Sequence, residues 1–302
     1  MINKLSQIVD AARKNGPKRL AVAFGQDSHT IQAVYDAFKA GLVEPILFGD
    51  RHTIYDVCAS LNIDASDFSI VQAAKDTEAV SMAVRAVAGG EADVLMKGLV
   101  STDKYMRGIL NKEAGLFPPG GVLSHISVVE LPGYPRLLTF SDAAVIPAPD
   151  FKQKIKLLGY LANIASVLGI ECPKVAVIAP SEQLLPSVSS STDAAIIAKM
   201  GDRGQLGNLV VDGPLSIDVA LYPEVAEEKK VKGSSVAGKA DCLLFPNIES
   251  ANVFFKASTH FGHAEMAALV AGTKVPCVLT SRGDTPQTKL YSIALACLAS
   301  KK

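Results

Sequence analysis

The chain has 302 residues, of which 49% are hydrophobic and 20% are charged, and its 30 basic and 30 acidic residues give a formal net charge of zero. This balance removes the electrostatic basis for wrapping nucleic acid or for lying on an anionic membrane. The length exceeds what one hydrophobic core usually fills, so two domains are expected. The most apolar long stretch, 157–170, contains Asn163 and Ser166 and is too short to span a bilayer.

The start of the chain lacks the apolar core of a signal peptide and has the pattern of an amphipathic helix that ends at Gly16 and Pro17. We therefore expect a cytoplasmic protein. Its five cysteines are scattered singly, without a C-x-x-C pair or a histidine at ligand spacing, so neither disulfides nor structural zinc is expected.

Short apolar runs alternate with segments of helical spacing along the whole chain. Predicted strands cover residues 19–24, 45–48, 68–71, 93–96, 126–130, 137–139, 174–178, 209–211, 242–245 and 275–279. Predicted helices cover residues 29–40, 52–61, 75–88, 150–168, 191–200, 249–258, 263–271 and 289–298, and one more begins at Ser101. This alternation predicts an α/β protein with parallel sheet built from right-handed crossover units.

The last predicted strand and helix are too short to form a domain, so we expect them to complete the first sheet. The first α/β domain then comprises residues 1–139 and 278–302, and residues 140–277 form a second, inserted α/β domain. The polar stretch 224–239 is expected to be a mobile excursion or a charged surface helix, although its serines and lysines are also able to contact a ligand.

The turn between the last predicted strand and helix suits an anion. Ser281 and Arg282 follow the strand, Thr285 is a good N-cap, and Pro286 falls at the first helical position. A guanidinium, a hydroxyl and the positive end of a helix dipole converge there, which is how proteins hold phosphate without a metal. The segment alone is equally consistent with a capped helix that carries a surface arginine.

A second strand-to-helix turn has the same pattern. Gly98 permits a tight turn after the strand at 93–96, and Ser101 or Thr102 caps the helix that follows. Lys97 and Arg107 add positive charge nearby. The turn is a candidate anion site, and an ordinary capped helix is the alternative.

Other polar groups give weaker signals. The serine-rich stretch 187–193, which includes Ser190, opens a helix and presents hydroxyls to a phosphate or merely caps the helix. Asp212 and Asp218 follow a predicted strand, where a carboxylate is able to act as a base, but Asp-Gly-Pro is also an ordinary turn. His260 and His263 lack a carboxylate pair, so no metal site is expected. Neither a G-x-G-x-x-G nor a Walker A sequence is present.

Five segments carry a family pattern when they are taken together and in order: residues 92–110, 140–149, 211–220, 240–250 with Asn252 and Lys256, and 276–290. With them the chain resembles the phosphate acetyl/butyryltransferase family, and its butyryltransferase branch most. The resemblance runs from about residue 18 to residue 299. It implies two α/β domains around a central cleft, as in isocitrate and isopropylmalate dehydrogenases, and a homodimer or higher homo-oligomer. It also implies reversible transfer of a short acyl group, butyryl or similar, between coenzyme A and inorganic phosphate, with coenzyme A as a substrate and no cofactor.

The resemblance also assigns residues to roles. Ser281 and Arg282 match the family's Ser-Arg pair at the cleft, and Arg107 matches its arginine after the capped turn. The acetyltransferase branch places its proposed base at the position of Thr288, so Asp284 becomes the substitute candidate and completes the catalytic set with Ser281 and Arg282. The residues expected to bind phosphate or coenzyme A are Lys97, Ser101, Thr102, Arg107, Ser190 and Asn252.

Three alternatives remain open from the sequence. One is a phosphate acetyltransferase that uses acetyl-CoA, and another is a non-catalytic protein that binds acyl phosphate or coenzyme A. The third is a metal-dependent decarboxylating dehydrogenase of the same fold, which needs a cluster of aspartates and a nicotinamide site, and neither is visible in the sequence.

Overall fold

The structure is a computed structural model that describes residues 1–280 and 283–300. Its strands are β1 (Lys18–Ala23), β2 (Val43–Gly49), β3 (Ser69–Gln72), β4 (Val94–Lys97), β5 (Ser124–Glu130), β6 (Leu138–Ser141), β7 (Lys174–Ile178), β8 (Val210–Leu215), β9 (Cys242–Leu244), β10 (Glu265–Ala271) and β11 (Cys277–Val278). Its helices are α1 (Leu5–Lys14), α2 (Ser28–Lys39), α3 (Arg51–Ser60), α4 (Asp76–Ala88), α5 (Thr102–Leu110), α6 (Phe151–Val167), α7 (Ser189–Asp202), α8 (Ile217–Leu221), α9 (Pro223–Glu228), α10 (Ile248–His260) and α11 (Pro286–Ala299).

The chain divides into two compact units. We name them the terminal unit, Leu5–Leu123 with Met266–Lys302, and the central unit, Met1–Lys4 with Ser124–Glu265. The predicted domains, 1–139 with 278–302 and 140–277, have different bounds. The difference arises because β5 and β6 pair antiparallel within the central unit, and because β10 pairs antiparallel with β11 in the terminal unit.

The terminal unit contains a mostly parallel sheet with the strand order β3-β2-β1-β4-β11-β10. Every neighbouring pair from β3 to β11 is parallel. β4 is buried along its whole length, and the last four residues of β1 are also buried. Continuous apolar strands of this kind are typical of parallel sheets that helices cover on both faces.

The central unit contains a second run of strands in the order β5-β6-β9-β7-β8. β5 and β6 are antiparallel, and the remaining pairs are parallel. Aromatic packing fills the space between β6 and α10, where the rings of Phe140 and Phe254 meet edge to face at 5.1 Å between centroids. Such pairs add to the stability that burial of the rings already provides.

The α/β class predicted from the sequence is confirmed, but one predicted helix is wrong. Residues 263–271 were expected to be helical, whereas Glu265–Ala271 form β10, buried from its second to its sixth residue. A short run of alanine, leucine, methionine and valine without turn residues has no period that separates a buried strand from a buried helix. Pairing with β11 decides the outcome, and the sequence does not encode that pairing locally.

The polar stretch 224–239 begins within a helix and then folds back. Pro223–Glu228 form α9, and further along Val236 is fully buried. A Cβ on Gly238 would lie 2.5 Å from the Cα of Pro223, so the returning chain packs directly on the start of α9. The expectation of a surface helix therefore holds for its first part only. Within the described residues, no helix combines the length and apolarity needed to cross a bilayer.

Tyr105 of α5 connects the helix to two neighbouring strands. Its side chain is fully buried, and its hydroxyl lies 3.4 Å from the carbonyl oxygen of Leu95 in β4 and 3.2 Å from that of Val278 in β11. Burial raises the pKa of Tyr105 well above its ordinary value, so the phenol stays neutral and remains a donor.

We expect Tyr105→Phe to lower the free energy of unfolding by about 1 kcal/mol, the usual net value of a buried hydrogen bond. Urea denaturation measures the change, and Tyr55→Phe, at an exposed tyrosine, is the control with no expected change. An unchanged midpoint for Tyr105→Phe would show that the hydroxyl does not stabilise the strand ends.

Candidate active site

Three strand-to-helix connections of the terminal unit leave the same edge of its sheet. β1, β4 and β11 lie side by side and run parallel, with Ala23 opposite Lys97 and Met96 opposite Val278. The carboxyl ends of the three strands therefore meet at one edge, where open α/β sheets usually bind ligands. α2, α5 and α11 are the helices that follow these strands.

Each of these helices begins at a side-chain N-cap. Asp27 accepts from the amide of Thr30 at 3.0 Å, Ser101 from that of Lys104 at 3.3 Å, and Thr285 from that of Thr288 at 3.1 Å. The caps predicted at Ser101 and Thr285 are confirmed, and Pro286 is the first residue of α11. Three positive helix ends lie after neighbouring strands, which favours negative charge at this edge.

A cavity of about 270 Å³ lies at this edge of the sheet. Its lining residues are Asp27, His29, Thr30, Lys97, Gly98, Leu99, Thr280 and Lys289. Two lysines against one aspartate give the lining an excess of positive charge. The cavity is therefore suited to a small anionic ligand.

Lys97, a predicted phosphate or coenzyme A ligand, is the last residue of β4 and is 8% exposed. Its Nζ lies 3.2 Å from the carbonyl oxygen of Gly98 and 3.1 Å from that of Val100. These carbonyl oxygens stabilise a buried ammonium group and hold it in the wall of the cavity.

The turn after β4 passes unusually close to the end of β1. A Cβ on Gly98 would lie 2.4 Å from the carbonyl oxygen of Phe24 and 2.8 Å from that of Ala23. The amides of Gly98 and Leu99 donate to those same two strand-end carbonyls, of Ala23 at 2.9 Å and of Phe24 at 2.8 Å. Only glycine fits this approach, as the sequence prediction of a tight turn required.

The other candidates on α5 are exposed. Ser101 and Thr102 lie at the start of the helix, and Arg107 lies further along it. The guanidinium of Arg107 pairs with both carboxylate oxygens of Asp103, at 3.1 Å from Nε and 3.0 Å from Nη2. A phosphate would have to displace this carboxylate, and displacement of an exposed pair costs little.

The predicted catalytic pair, Ser281 and Arg282, lies outside the described residues. Thr280, immediately before it, is buried and lines the cavity. Asp284, the predicted base, directly precedes the N-cap Thr285 of α11. The residues on both sides of the pair therefore belong to the edge that carries the cavity.

The two remaining candidates, Ser190 and Asn252, belong to the central unit. Ser190 is half-buried in the first turn of α7, and its neighbour Ser191 is the buried serine that donates to the carbonyl oxygen of Gln183 at 3.0 Å. The amide nitrogen of Asn252 donates to the carbonyl oxygen of Ala143 at 3.0 Å. Asn252 thus holds the loop after β6 in place.

Asp142, in the same loop, was not singled out from the sequence. Its buried carboxylate accepts backbone hydrogen bonds from His125, Ala144 and Val145 at 3.0, 2.9 and 2.8 Å. Three amides on one carboxylate give the loop a fixed shape. The family pattern in residues 140–149 therefore includes a structural aspartate.

The two reserve candidates for a base lie in the central unit. The Ser216 hydroxyl and the Lys229 ammonium lower the pKa of Asp218 to about 2, and Lys229 Nζ lies 3.0 Å from its Oδ2. An aspartate held ionised in this way is a weak base near neutral pH. Asp212 accepts a hydrogen bond from the amide of Gly213 at 2.8 Å and lies within β8, so the Asp-Gly-Pro sequence does not form the turn expected as the alternative.

Two cavity residues, Asp27 and Lys289, were missed by the sequence reasoning. Asp27 was not assigned to any candidate site, and Lys289 was predicted only as the first residue of the helix at 289–298. A usable signal was present at Lys289, because a lysine in the first turn of a helix opposes the helix dipole.

Within residues 1–280 and 283–300, no group of three or more His, Cys, Asp and Glu side chains is placed to hold a metal ion.

The fold and the cavity define an α/β protein that is suited to bind a phosphate group at the carboxyl edge of a parallel sheet. The family model for phosphate acetyl/butaryl transferase matches residues 4–80 and 75–297, and the chain belongs to this family. The resemblance found in the five sequence segments is thereby confirmed.

Relatives and solved structures agree with this assignment. The chain is 41% identical to the phosphate butyryltransferase of Clostridium beijerinckii, over 100% of this chain and 99% of the relative, and 40% identical to the phosphate acetyltransferase of Thermotoga maritima, over 97% and 98%. The structure of a branched-chain phosphotransacylase from Enterococcus faecalis superposes with a TM-score of 0.84 at 29% identity, covering 93% of this chain and 98% of that one. A 4-hydroxythreonine-4-phosphate dehydrogenase from Klebsiella pneumoniae shares the fold, with a TM-score of 0.56 at 10% identity over 94% of this chain and 100% of that one.

We expect Gly98→Ala to lower the free energy of unfolding by about 2 kcal/mol, because backbone atoms of Phe24 and Ala23 occupy the space of the new methyl group. Chemical denaturation measures the loss. Gly159→Ala is the matched control, since Gly159 lies inside α6 with no atom within 4 Å of a new Cβ, and it should raise stability by up to about 1 kcal/mol. Equal stability of Gly98→Ala and the parent protein would contradict the close approach.

Proposed function

We propose that this protein moves a short acyl group, butyryl or similar, between coenzyme A and inorganic phosphate. Acyl-CoA and phosphate give acyl phosphate and free coenzyme A, and the reaction is reversible. Membership of the family supports the proposal, and the cavity with two buried lysines at the meeting point of three helix starts is the structural observation that carries it.

In the forward direction a phosphate oxygen attacks the thioester carbonyl, the C–S bond breaks, and coenzyme A leaves. Arg282 and Arg107 hold phosphate through paired donors, and Lys97, Ser101 and Thr102 add charge and hydrogen bonds at the second strand-to-helix turn. Ser281 donates to the oxyanion that develops at the carbonyl. Holding both reactants in place supplies much of the acceleration, and no covalent enzyme intermediate is required.

In the reverse direction the thiol of coenzyme A must lose its proton, and Asp284 is the proposed acceptor. A carboxylate is a weak base for an ordinary thiol, so the positive charges of the site must also lower the pKa of the bound thiol. Asp218 is a poor substitute because its own pKa is lowered to about 2.

The finer architecture also belongs to the proposal. We propose the two-domain arrangement of isocitrate and isopropylmalate dehydrogenases, with Ser190 and Asn252 contributing to substrate binding from the second domain. A homodimer or higher homo-oligomer and a cytoplasmic location follow from the family resemblance.

The choice of acyl group decides between two candidate functions. A relative that is 40% identical is named phosphate acetyltransferase, so acetyl transfer is the second candidate. Release of free thiol from acetyl-, propionyl-, butyryl- and isobutyryl-CoA in phosphate buffer compares them, and we expect the highest kcat/KM with a four-carbon substrate. Preference for acetyl-CoA would favour the second candidate. If none of the four substrates releases free thiol in a phosphate-dependent way, the protein is instead a non-catalytic protein that binds acyl phosphate or coenzyme A.

We expect Asp284→Asn to lower the rate from acyl phosphate to acyl-CoA about 100-fold or more, the usual contribution of a general base. The rate is measured across pH at saturating substrates, because asparagine keeps the size of the side chain and loses its charge. Asp218→Asn is the matched comparison, with near-parent activity expected. Retention of more than about a third of the rate by Asp284→Asn, with an unchanged pH profile, would mean that Asp284 is not the base.

A further inference from the structure

Lys289 is a buried lysine that forms no ion pair with a carboxylate of the described residues. It is 5% exposed and lines the cavity at the sheet edge. Within the described residues, its Nζ makes no hydrogen bond and no ion pair. Lys97, by contrast, donates to two carbonyl oxygens in the same wall.

Two physical terms disfavour this arrangement in the empty protein. Lys289 is 5% exposed and lines the cavity, so its ammonium group is hydrated only from the cavity side, and no described side chain replaces the water it has lost. Lys289 also lies in the first turn of α11, four residues after its N-cap Thr285, where the helix dipole repels positive charge. A bound anion in the cavity would remove both costs at once.

Asp27 supplies the complementary feature. Its Oδ1 caps α2 by accepting from the amide of Thr30 at 3.0 Å, while its Oδ2 is buried and accepts no hydrogen bond from any residue that the structure describes. A carboxylate oxygen in this state is satisfied by a ligand that carries a hydrogen. The lining therefore calls for a ligand with negative charge toward Lys289 and a hydrogen toward Asp27.

We propose that the cavity binds monohydrogen phosphate, with Lys289 as the charge partner of its oxygens and Asp27 as the acceptor of its hydrogen. The inference rests on the proposed function and deepens it, since it names two further residues for the phosphate substrate. At about 270 Å³ the cavity lies at the lower limit of ligand pockets, which suits a phosphate and not a whole coenzyme A molecule.

Lys289→Met tests the charge partner because methionine keeps the length of the side chain without the charge. We expect the phosphate Kd from titration calorimetry to rise at least tenfold, equivalent to about 1.4 kcal/mol. We also expect the melting temperature without phosphate to be no lower than that of the parent, since the unpaired charge is gone. Lys152→Met is the control, at an exposed lysine in the first turn of α6. An unchanged phosphate Kd, or a variant that is less stable without phosphate, would overturn the assignment.

Asp27→Asn tests the hydrogen acceptor, since asparagine preserves the N-cap. Sulfate carries no hydrogen at neutral pH, so the parent protein should bind phosphate at least tenfold more tightly than sulfate, and Asp27→Asn should reduce this preference to threefold or less. Equal affinity of the parent for both anions would overturn the role of Asp27.

Calorimetry needs no turnover, so these outcomes are separate from those of the acyl-transfer assay. Phosphate binding that depends on Lys289 supports the inference even in a protein without acyl transfer. Titrations with coenzyme A and with coenzyme A lacking its 3′-phosphate distinguish the other source of a phosphate group. If Lys289→Met weakens only coenzyme A and leaves inorganic phosphate unchanged, the cavity is not the site of inorganic phosphate.

Discussion

The turn at Gly98 lies against the end of β1, and the candidate site depends on this contact. The amides of Gly98 and Leu99 bond to the carbonyl oxygens of Ala23 and Phe24, so the turn after β4 cannot move independently of the turn after β1. The hydroxyl of Tyr105 connects β4 to β11. Three strand ends are thereby fixed at one edge, and the helices that follow them begin where an anion is favoured. Side chains that belong to three distant parts of the sequence come to line one cavity as a result.

The site also illustrates a conflict between stability and binding. Lys97 and Lys289 are both more than nine-tenths buried, and lysine is rarely buried to that degree unless it is paired. The carbonyl oxygens of Gly98 and Val100 stabilise Lys97, whereas Lys289 has no such group among the described residues. An apolar side chain at position 289 would serve the core of the terminal unit better. Retaining a charge there is consistent with selection for a ligand.

The sequence predicted the elements that carry their own local signals. The strand at Lys174–Ile178 has the predicted bounds, and the caps at Ser101 and Thr285 are present because serine and threonine hydroxyls satisfy free amides. β10 was missed because its alanine-rich run is compatible with either structure, and tertiary position decided the outcome. Among site residues, Lys97 was found through its strand-to-helix turn. Lys289 and Asp27 were not, because their significance is burial beside a cavity, which depends on strands that are far apart in the sequence.

Hydrogen exchange of the backbone amides, with and without inorganic phosphate, tests most directly whether this edge of the sheet is the phosphate site. Phosphate should slow exchange in peptides that cover residues 97–101, which form the turn before α5, and residues 285–290, which begin α11, because a bound anion holds the helix starts and their neighbouring turns. Peptides of the central unit, including the serine-rich residues 187–193, should change less. Protection confined to residues 187–193, or no protection at all at saturating phosphate, would contradict the account.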